Sequence, residues 1–250
     1  MSDDTPSDIT RRDFLASAGA TVALAGLAGD LRLPAPRGRL KSGSVVLFQG
    51  DSITDAGRKR ENANPNQADA LGLGYPLLIA ASILHAHAEQ GIKIWNRGVS
   101  GNKVPDLAAR WQGDTLDLQP DVLSILIGVN DFWHKLLNGY TGTVRDYESG
   151  FAALLDQTRA ARPGIKLVVI EPFVLHTGSV TDQWFPEFDE RRAAARRVAE
   201  GAGARFLPAQ RMFDELIRRA PPSYWAADGV HPTVAGHGAI ARLWLDNVNL

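Results

Sequence analysis

Val45-Val46-Leu47-Phe48-Gln49-Gly50-Asp51-Ser52-Ile53-Thr54 is the stretch from which the rest of the chain is read. An apolar, β-branched run that stops on Gly-Asp-Ser predicts a buried strand delivering a serine to a loop at its end. Buried parallel strands present functional groups at their carboxyl ends, so Ser52 stands where a catalytic group is expected. A serine hydroxyl is a weak nucleophile until a neighbouring base takes its proton. Such a serine therefore calls for a base, an acid to orient that base, and donors for an oxyanion.

Outward from that stretch, strand-like runs recur at 93–96, 122–127, 165–170 and 204–207. Helical patterns alternate with them at 75–90, 104–112, 147–161, 186–201, 210–219 and Val234–Asn247, and 55–74 reads as a long polar loop. This alternation predicts one three-layer α/β/α domain on a five-stranded parallel sheet. The expected order is the flavodoxin-like 2-1-3-4-5, with the ligand crevice between the first and third strands. Ser52 follows the first strand and Asn130 the third.

Composition agrees with an ordinary globular domain: 44% hydrophobic and 22% charged residues, with a net charge of −1. A charge this small predicts no electrostatic pull toward nucleic acid or an acidic membrane. The chain has no cysteine, which removes disulfides, thiolate metal sites, a cysteine nucleophile and a lipoprotein anchor. The domain is expected over 41–250. Residues 1–40 read as an export segment and linker, because Arg11-Arg12 precedes a mildly apolar, uncharged run and so resembles a twin-arginine signal. The run is short for a membrane span, and the expected location is periplasmic or extracellular, with no stable membrane association after export.

His231 is the expected base. It stands three residues after Asp228, a spacing that lets the carboxylate bond the ring nitrogen facing away from the serine and fix the tautomer. Ester hydrolysis builds negative charge on the carbonyl oxygen, and three donors are available for it: the N–H of Ser52, the N–H of Gly101 and the side-chain amide of Asn130. Asn130 by itself reads equally as a turn former before a helix. Ser100 is a rival nucleophile, but no Gly-x-Ser-x-Gly elbow surrounds it, and it is placed as a hydrogen-bonding neighbour of the oxyanion loop.

Gly50-Asp51-Ser52-Ile53, Gly98-Val99-Ser100-Gly101-Asn102, Gly128-Val129-Asn130-Asp131 and Asp228-Gly229-Val230-His231-Pro232 together resemble the four motif blocks of the SGNH (GDSL) hydrolase family. The likeness covers roughly 44–247. It implies Ser52 as nucleophile, His231 as base, Asp228 as its partner, and Ser52, Gly101 and Asn130 as the oxyanion hole. Within the family the blocks are most similar to bacterial carbohydrate acetyl esterases of the acetylxylan esterase kind, acting on an acylated carbohydrate or another small ester.

Trp133, Trp184 and Trp225 are expected at the crevice mouth, where aromatic faces stack on sugar rings, with Asp51 beside them as a substrate-binding residue. Trp95, Trp111 and Trp244 are expected in the core. No long apolar insertion offers a tunnel for a long acyl chain, which favours acetyl. No cofactor is expected, and no histidine pair has a metal-ligand spacing. Two alternatives stay open: a lipase or thioesterase of the same family, and an exported carbohydrate-binding protein on the same scaffold without turnover. The oligomeric state is not legible in the sequence.

Overall fold

The structure is a computed structural model that describes Gly38 and residues 40–250. The expected export segment and linker at 1–40 lie almost entirely outside those residues.

Five strands, β1 (Val45–Gly50), β2 (Lys93–Asn96), β3 (Val122–Leu126), β4 (Lys166–Ile170) and β5 (Arg205–Leu207), form one parallel sheet in the order β2-β1-β3-β4-β5. Successive side chains on a strand point to opposite faces, and the core divides accordingly. Val46 and Phe48 of β1, Val122 and Leu126 of β3, and Val168 and Ile170 of β4 face one side. Leu47, Leu123, Ile125, Leu167 and Val169 face the other.

The first face is covered by α3 (Tyr75–Ala86), α8 (Ala209–Leu216) and α10 (Val234–Asn247), through Ile79, Ile83, Phe213, Ile240 and Trp244. The second is covered by α4 (Val104–Trp111), α6 (Val144–Ala161) and α7 (Glu187–Gly201), through Leu107, Trp111, Phe151, Leu155 and Val198. Ser124 is a buried polar residue of the first face, and its hydroxyl accepts the Trp244 indole N–H at 3.1 Å. Because β1 has β2 on one side and β3 on the other, the chain order reverses there, and the carboxyl ends of β1 and β3 are where sheets of this order bind ligands.

The other α-helices among the described residues are α1 (Ser52–Asp55), α2 (Ala68–Leu71), α5 (Val129–Asn138) and α9 (Pro222–Trp225), with a π-helical turn at Gln112–Leu116 and a 3-10 turn at Asp182–Trp184. Two of these correct the sequence reading. The 55–74 loop contains α2, and a ten-residue helix, α5, stands where only the end of the third strand and a loop were expected. The pattern hid α5 because its buried first turn carries Asn130 and Asp131 while Leu136 and Leu137 are exposed. Apolar-in, polar-out periodicity is thus inverted at both ends. Helix α6 begins three residues earlier than expected, at a reciprocal cap in which Thr143 accepts the Asp146 N–H and Asp146 accepts the Thr143 N–H. The core assignment holds for Trp111 and Trp244, both at most 1% exposed, whereas Trp95 is half-buried against the second face.

Candidate active site

Ser52 leaves β1 at the first position of α1, a single helical turn. Asp51 caps that turn by accepting the Ile53 N–H at 3.0 Å, and this fixes the backbone at the serine. Its neighbour Gly50 has φ +155, and a side chain there would strike the Leu126 carbonyl at 2.3 Å, so only glycine lets β1 and β3 stay paired up to the serine.

His231 arrives from the opposite end of the sequence. An antiparallel bridge between Ala226 and Pro232 closes the loop that carries it, and the Thr233 N–H donates to the Trp225 carbonyl at 2.8 Å. Within the loop, Asp228 Oδ1 accepts the N–H groups of Val230 at 2.9 Å and His231 at 2.7 Å. From outside, the Leu175 N–H donates to Gly229 and the Ser179 N–H to Asp228. Gly229, at φ +87, would meet the Leu175 and Thr177 carbonyls at 2.4 Å if it carried a Cβ. The 175–180 segment therefore buttresses this loop, a contact that no motif announces.

The result is a continuous line of hydrogen bonds. Ser52 Oγ lies 2.8 Å from His231 Nε2, and His231 Nδ1 lies 2.6 Å from Asp228 Oδ2. Partial burial raises the Asp228 carboxyl, but the bonds from the His231 ring and from the His231 and Val230 N–H groups outweigh it and hold the group below its ordinary value. A carboxylate kept ionised at that place fixes the proton on Nδ1 and leaves Nε2 free to accept one from the serine.

Facing Ser52 is the 97–102 loop. Among the described residues the N–H groups of Ser52 and Gly101 have no acceptor. The Asn130 amide donates to the Asn102 carbonyl at 3.1 Å, which orients Nδ2 and leaves its second hydrogen available. The N–H groups of Ser52 and Gly101 and the second hydrogen of Asn130 Nδ2 are thus unengaged, the kind of donor that a developing oxyanion needs. The loop itself is tied from several directions. Asp55 Oδ2 accepts the Ser100 N–H and hydroxyl, each at 2.9 Å, Arg58 donates to the Gly98 carbonyl at 2.8 Å, and Arg110 donates to Asn102 Oδ1 and the Arg97 carbonyl, each at 2.8 Å. Ser100 occupies the supporting place expected of it. The roles of Asp55, Arg58 and Arg110 were not read from sequence; Asp55, four residues after Asp51, was the only available signal, and it reads as well as a surface helix end.

Two expected substrate contacts are corrected. Trp184 is 1% exposed, packed on Phe132 and Phe188 at centroid distances of 5.2 and 5.6 Å with its N–H on the Ser179 carbonyl, so it cannot offer a face to a sugar. Asp51 is likewise 1% exposed beneath α1. Burial, opposed by the Ile53 N–H and reinforced by Asp131, pushes its carboxyl up to about 7. Trp133 and Trp225 are half-buried at the rim; the Trp133 ring lies 5.8 Å from that of His231. Among the described residues no cluster of His, Asp and Glu has the make-up of a metal site.

Known proteins resemble this chain over most of its length. The model of the GDSL-like lipase/acylhydrolase family matches residues 48–239. An acetylxylan esterase of Geobacillus stearothermophilus is 34% identical over 214 residues, which are 84% of this chain and 96% of that protein. A crystal structure described as a GDSL-like lipase from Parabacteroides merdae is 46% identical, covers 85% of this chain and 98% of its own, and superposes with a TM-score of 0.82. The structure of a serine-to-alanine catalytic mutant of the Geobacillus acetylxylan esterase Axe2 is 32% identical with a TM-score of 0.75, covering 83% of this chain and 95% of its own.

Proposed function

The chain belongs to the GDSL-like lipase/acylhydrolase family and is a carboxylic-ester hydrolase, and from that premise we propose that it removes acetyl groups from carbohydrate, of the xylan type, by a Ser52-His231-Asp228 mechanism. The observation that carries the reading is the unbroken line Ser52 Oγ, His231 Nε2, His231 Nδ1, Asp228 Oδ2 beside three donors with capacity to spare.

In the first half-reaction His231 Nε2 takes the Ser52 proton as Oγ adds to the acetyl carbonyl. The carbonyl π electrons move to oxygen, and the oxyanion is held by the N–H groups of Ser52 and Gly101 and the Asn130 amide. Collapse breaks the bond to the sugar oxygen, which takes the proton from His231 and leaves. Water then adds to the acetyl-serine, giving its proton to the same imidazole, and acetate departs as Ser52 recovers its hydroxyl. Asp228 keeps the ring in one tautomer and stabilises the imidazolium throughout. No step requires a cofactor.

The carbohydrate part of the proposal is supported by the acetylxylan esterase among the relatives and by Trp133, the aromatic ring that stands at the rim beside His231. The test is the pair of wild type and Ser52→Ala on 4-nitrophenyl acetate, longer 4-nitrophenyl esters and acetylated xylo-oligosaccharides. The expected result is release of acetate from the oligosaccharides by the wild type and a folded, inactive variant. Activity retained by Ser52→Ala overturns the nucleophile, and a preference for long acyl chains overturns the substrate class in favour of a lipase.

The proposal extends to location: Arg11-Arg12 and the run that follows direct export by the twin-arginine route, so that the enzyme meets polysaccharide outside the cytoplasm. Replacing both arginines by lysine is expected to retain the full-length protein in the cytoplasm of a bacterial host. Undiminished export of that variant overturns the route.

A further inference from the structure

Helix α5 lays one edge along the site. Residues three and four apart on a helix are neighbours on its surface, so Trp133 and His134 stand together one turn beyond Asn130. Trp133 leans toward the base, with its ring 5.8 Å from His231 and backed by Trp184 at the same distance. His134 leans the other way: its Cε1 lies 3.9 Å from where a side chain on Gly101 would begin. The helix therefore straddles the reacting position, with the oxyanion amide between an aromatic ring and an imidazole.

That imidazole has properties of a binding group. It is half-buried, and among the described residues it has no hydrogen-bond partner. Partial burial and the nearby Lys103 ammonium lower its pKa, opposed by Asp106, which favours the neutral ring. Lys103 is itself engaged, 2.7 Å from Asp106 and over the Tyr140 ring at 5.3 Å. A neutral imidazole has one N–H donor and one ring-nitrogen acceptor, and a hydroxyl, itself both donor and acceptor, can meet it through either nitrogen. The only strong acceptor of an acetyl group is its carbonyl oxygen, and the oxyanion donors take that. Whatever His134 meets must belong to the alcohol part of the ester.

We propose that His134 is a specificity-determining residue that hydrogen-bonds a free hydroxyl on the sugar ring bearing the acetyl group. The proposal rests on the carbohydrate reading of the site. Its consequence is discrimination between esters with the same acyl group: a sugar acetate offers a hydroxyl at that place and an aryl acetate does not. A site built to bond a substrate hydroxyl loses more on an analogue lacking it than an apolar pocket does.

The test is steady-state kinetics of wild type, His134→Ala and His134→Gln on acetylated xylo-oligosaccharides and on 4-nitrophenyl acetate. A single neutral hydrogen bond corresponds to about tenfold in binding. For His134→Ala the expected result is a KM on the oligosaccharide raised about tenfold and a ratio of kcat/KM, sugar ester over aryl ester, lowered by about the same factor. His134→Gln, which keeps a donor and an acceptor, is expected to recover most of that ratio. An unaltered ratio in His134→Ala overturns the proposal, as does a parallel fall in kcat on both esters, which would mean that His134 only supports the Gly101 loop. Wild-type enzyme that cleaves the aryl acetate but no sugar acetate would reject the carbohydrate reading itself, a result distinguishable from either of these before any variant is made.

Discussion

Asp55 gathers both the backbone N–H and the hydroxyl of Ser100 on one carboxylate oxygen, each at 2.9 Å. Asp55 ends the helical turn that Ser52 begins, and Ser100 immediately precedes Gly101, so one buried carboxylate couples the turn of the proposed nucleophile to the loop of the proposed oxyanion donor. Burial raises this carboxyl, but Arg60, at 2.5 Å, and the two Ser100 donors outweigh that and lower it below its ordinary value. Asp55→Ala leaves the loop free to move the Gly101 N–H out of line. The expected outcome is a loss in kcat on 4-nitrophenyl acetate approaching the 10²–10³ typical of a deleted oxyanion donor, with KM little altered. Asp55→Asn keeps an oxygen for Ser100 and is expected to lose less. Equal, small losses in both variants would show that the loop is held adequately by Arg58 and Arg110.

Asp51 and Asp131 are both buried, and each has one carboxylate oxygen bonded to a backbone N–H (Ile53 and Val104) and the other without a partner among the described residues. Burial pushes Asp51 up to about 7 and Asp131 up to about 6. A carboxyl raised in the folded state holds a proton that the unfolded chain has already released. Its contribution to stability is full below the unfolded value near 3.8 and is lost as pH rises through about 7. Asp51→Asn keeps an acceptor for Ile53 and cannot ionise. The variant is expected to gain on the wild type in Tm between pH 5 and pH 8 and to be the more stable at pH 8. A difference in Tm that stays constant over that range would sink the assignment.

Trp184 and Trp133 pack on each other but are expected to fail in different ways. Trp184 is fully buried among Phe132, Phe188 and Trp133, so Trp184→Ala removes a large core side chain and is expected to cost about 3–5 kcal/mol of stability. Trp133 is half-buried beside His231, and Trp133→Ala is expected to cost less stability and to raise KM on acetylated oligosaccharide. Chemical denaturation and kinetics on the same two variants separate the roles. Matching stability losses would place Trp133 in the core as well.

The contrast between these tryptophans shows where sequence reading runs out. The sheet order was legible because alternating strand and helix patterns leave few topologies, and because Val45 to Gly50 reads as buried on both faces. Ser52, Asn130, Gly101 and the Asp228–His231 pair were legible because each sits at the end of an element in a short, recognisable block. Exposure was not: Trp184 and Trp225 carry the same local signature of a loop aromatic, and only tertiary packing sends one inward. Helix α5 was missed for a related reason. Its buried first turn carries Asn130, bonded to the Asn102 carbonyl, and Asp131, bonded to the Val104 N–H, so these polar residues erase the periodicity that would have revealed the helix. The long-range supports, such as Arg110 reaching the Arg97 carbonyl and the 175–180 segment under Gly229, depend on contacts between distant parts of the chain that no local pattern encodes.

Asp228 divides its two oxygens between the loop backbone and the His231 ring, and that division gives the last prediction. Oδ1 accepts the N–H groups of Val230 and His231, which shape the loop; among the described residues Oδ2 accepts only the imidazole Nδ1–H, at 2.6 Å. In Asp228→Asn the amide oxygen can keep the two backbone bonds, and the amide nitrogen then faces Nδ1. Two donors cannot share that contact, so the ring moves its proton to Nε2, leaving no lone pair there to accept from Ser52 Oγ. The expected loss in kcat is about 10⁴, the size associated with a wrong imidazole tautomer, with KM and the far-ultraviolet circular dichroism close to wild type. The depressed carboxyl also sets a sign for stability: its contribution is present above the unfolded carboxylate value and is lost as pH falls through the lower folded one. Asp228→Asn should therefore be less sensitive to acid than the wild type while being far less active at neutral pH. A variant retaining a tenth or more of wild-type kcat would show that Asp228 does not set the tautomer of His231.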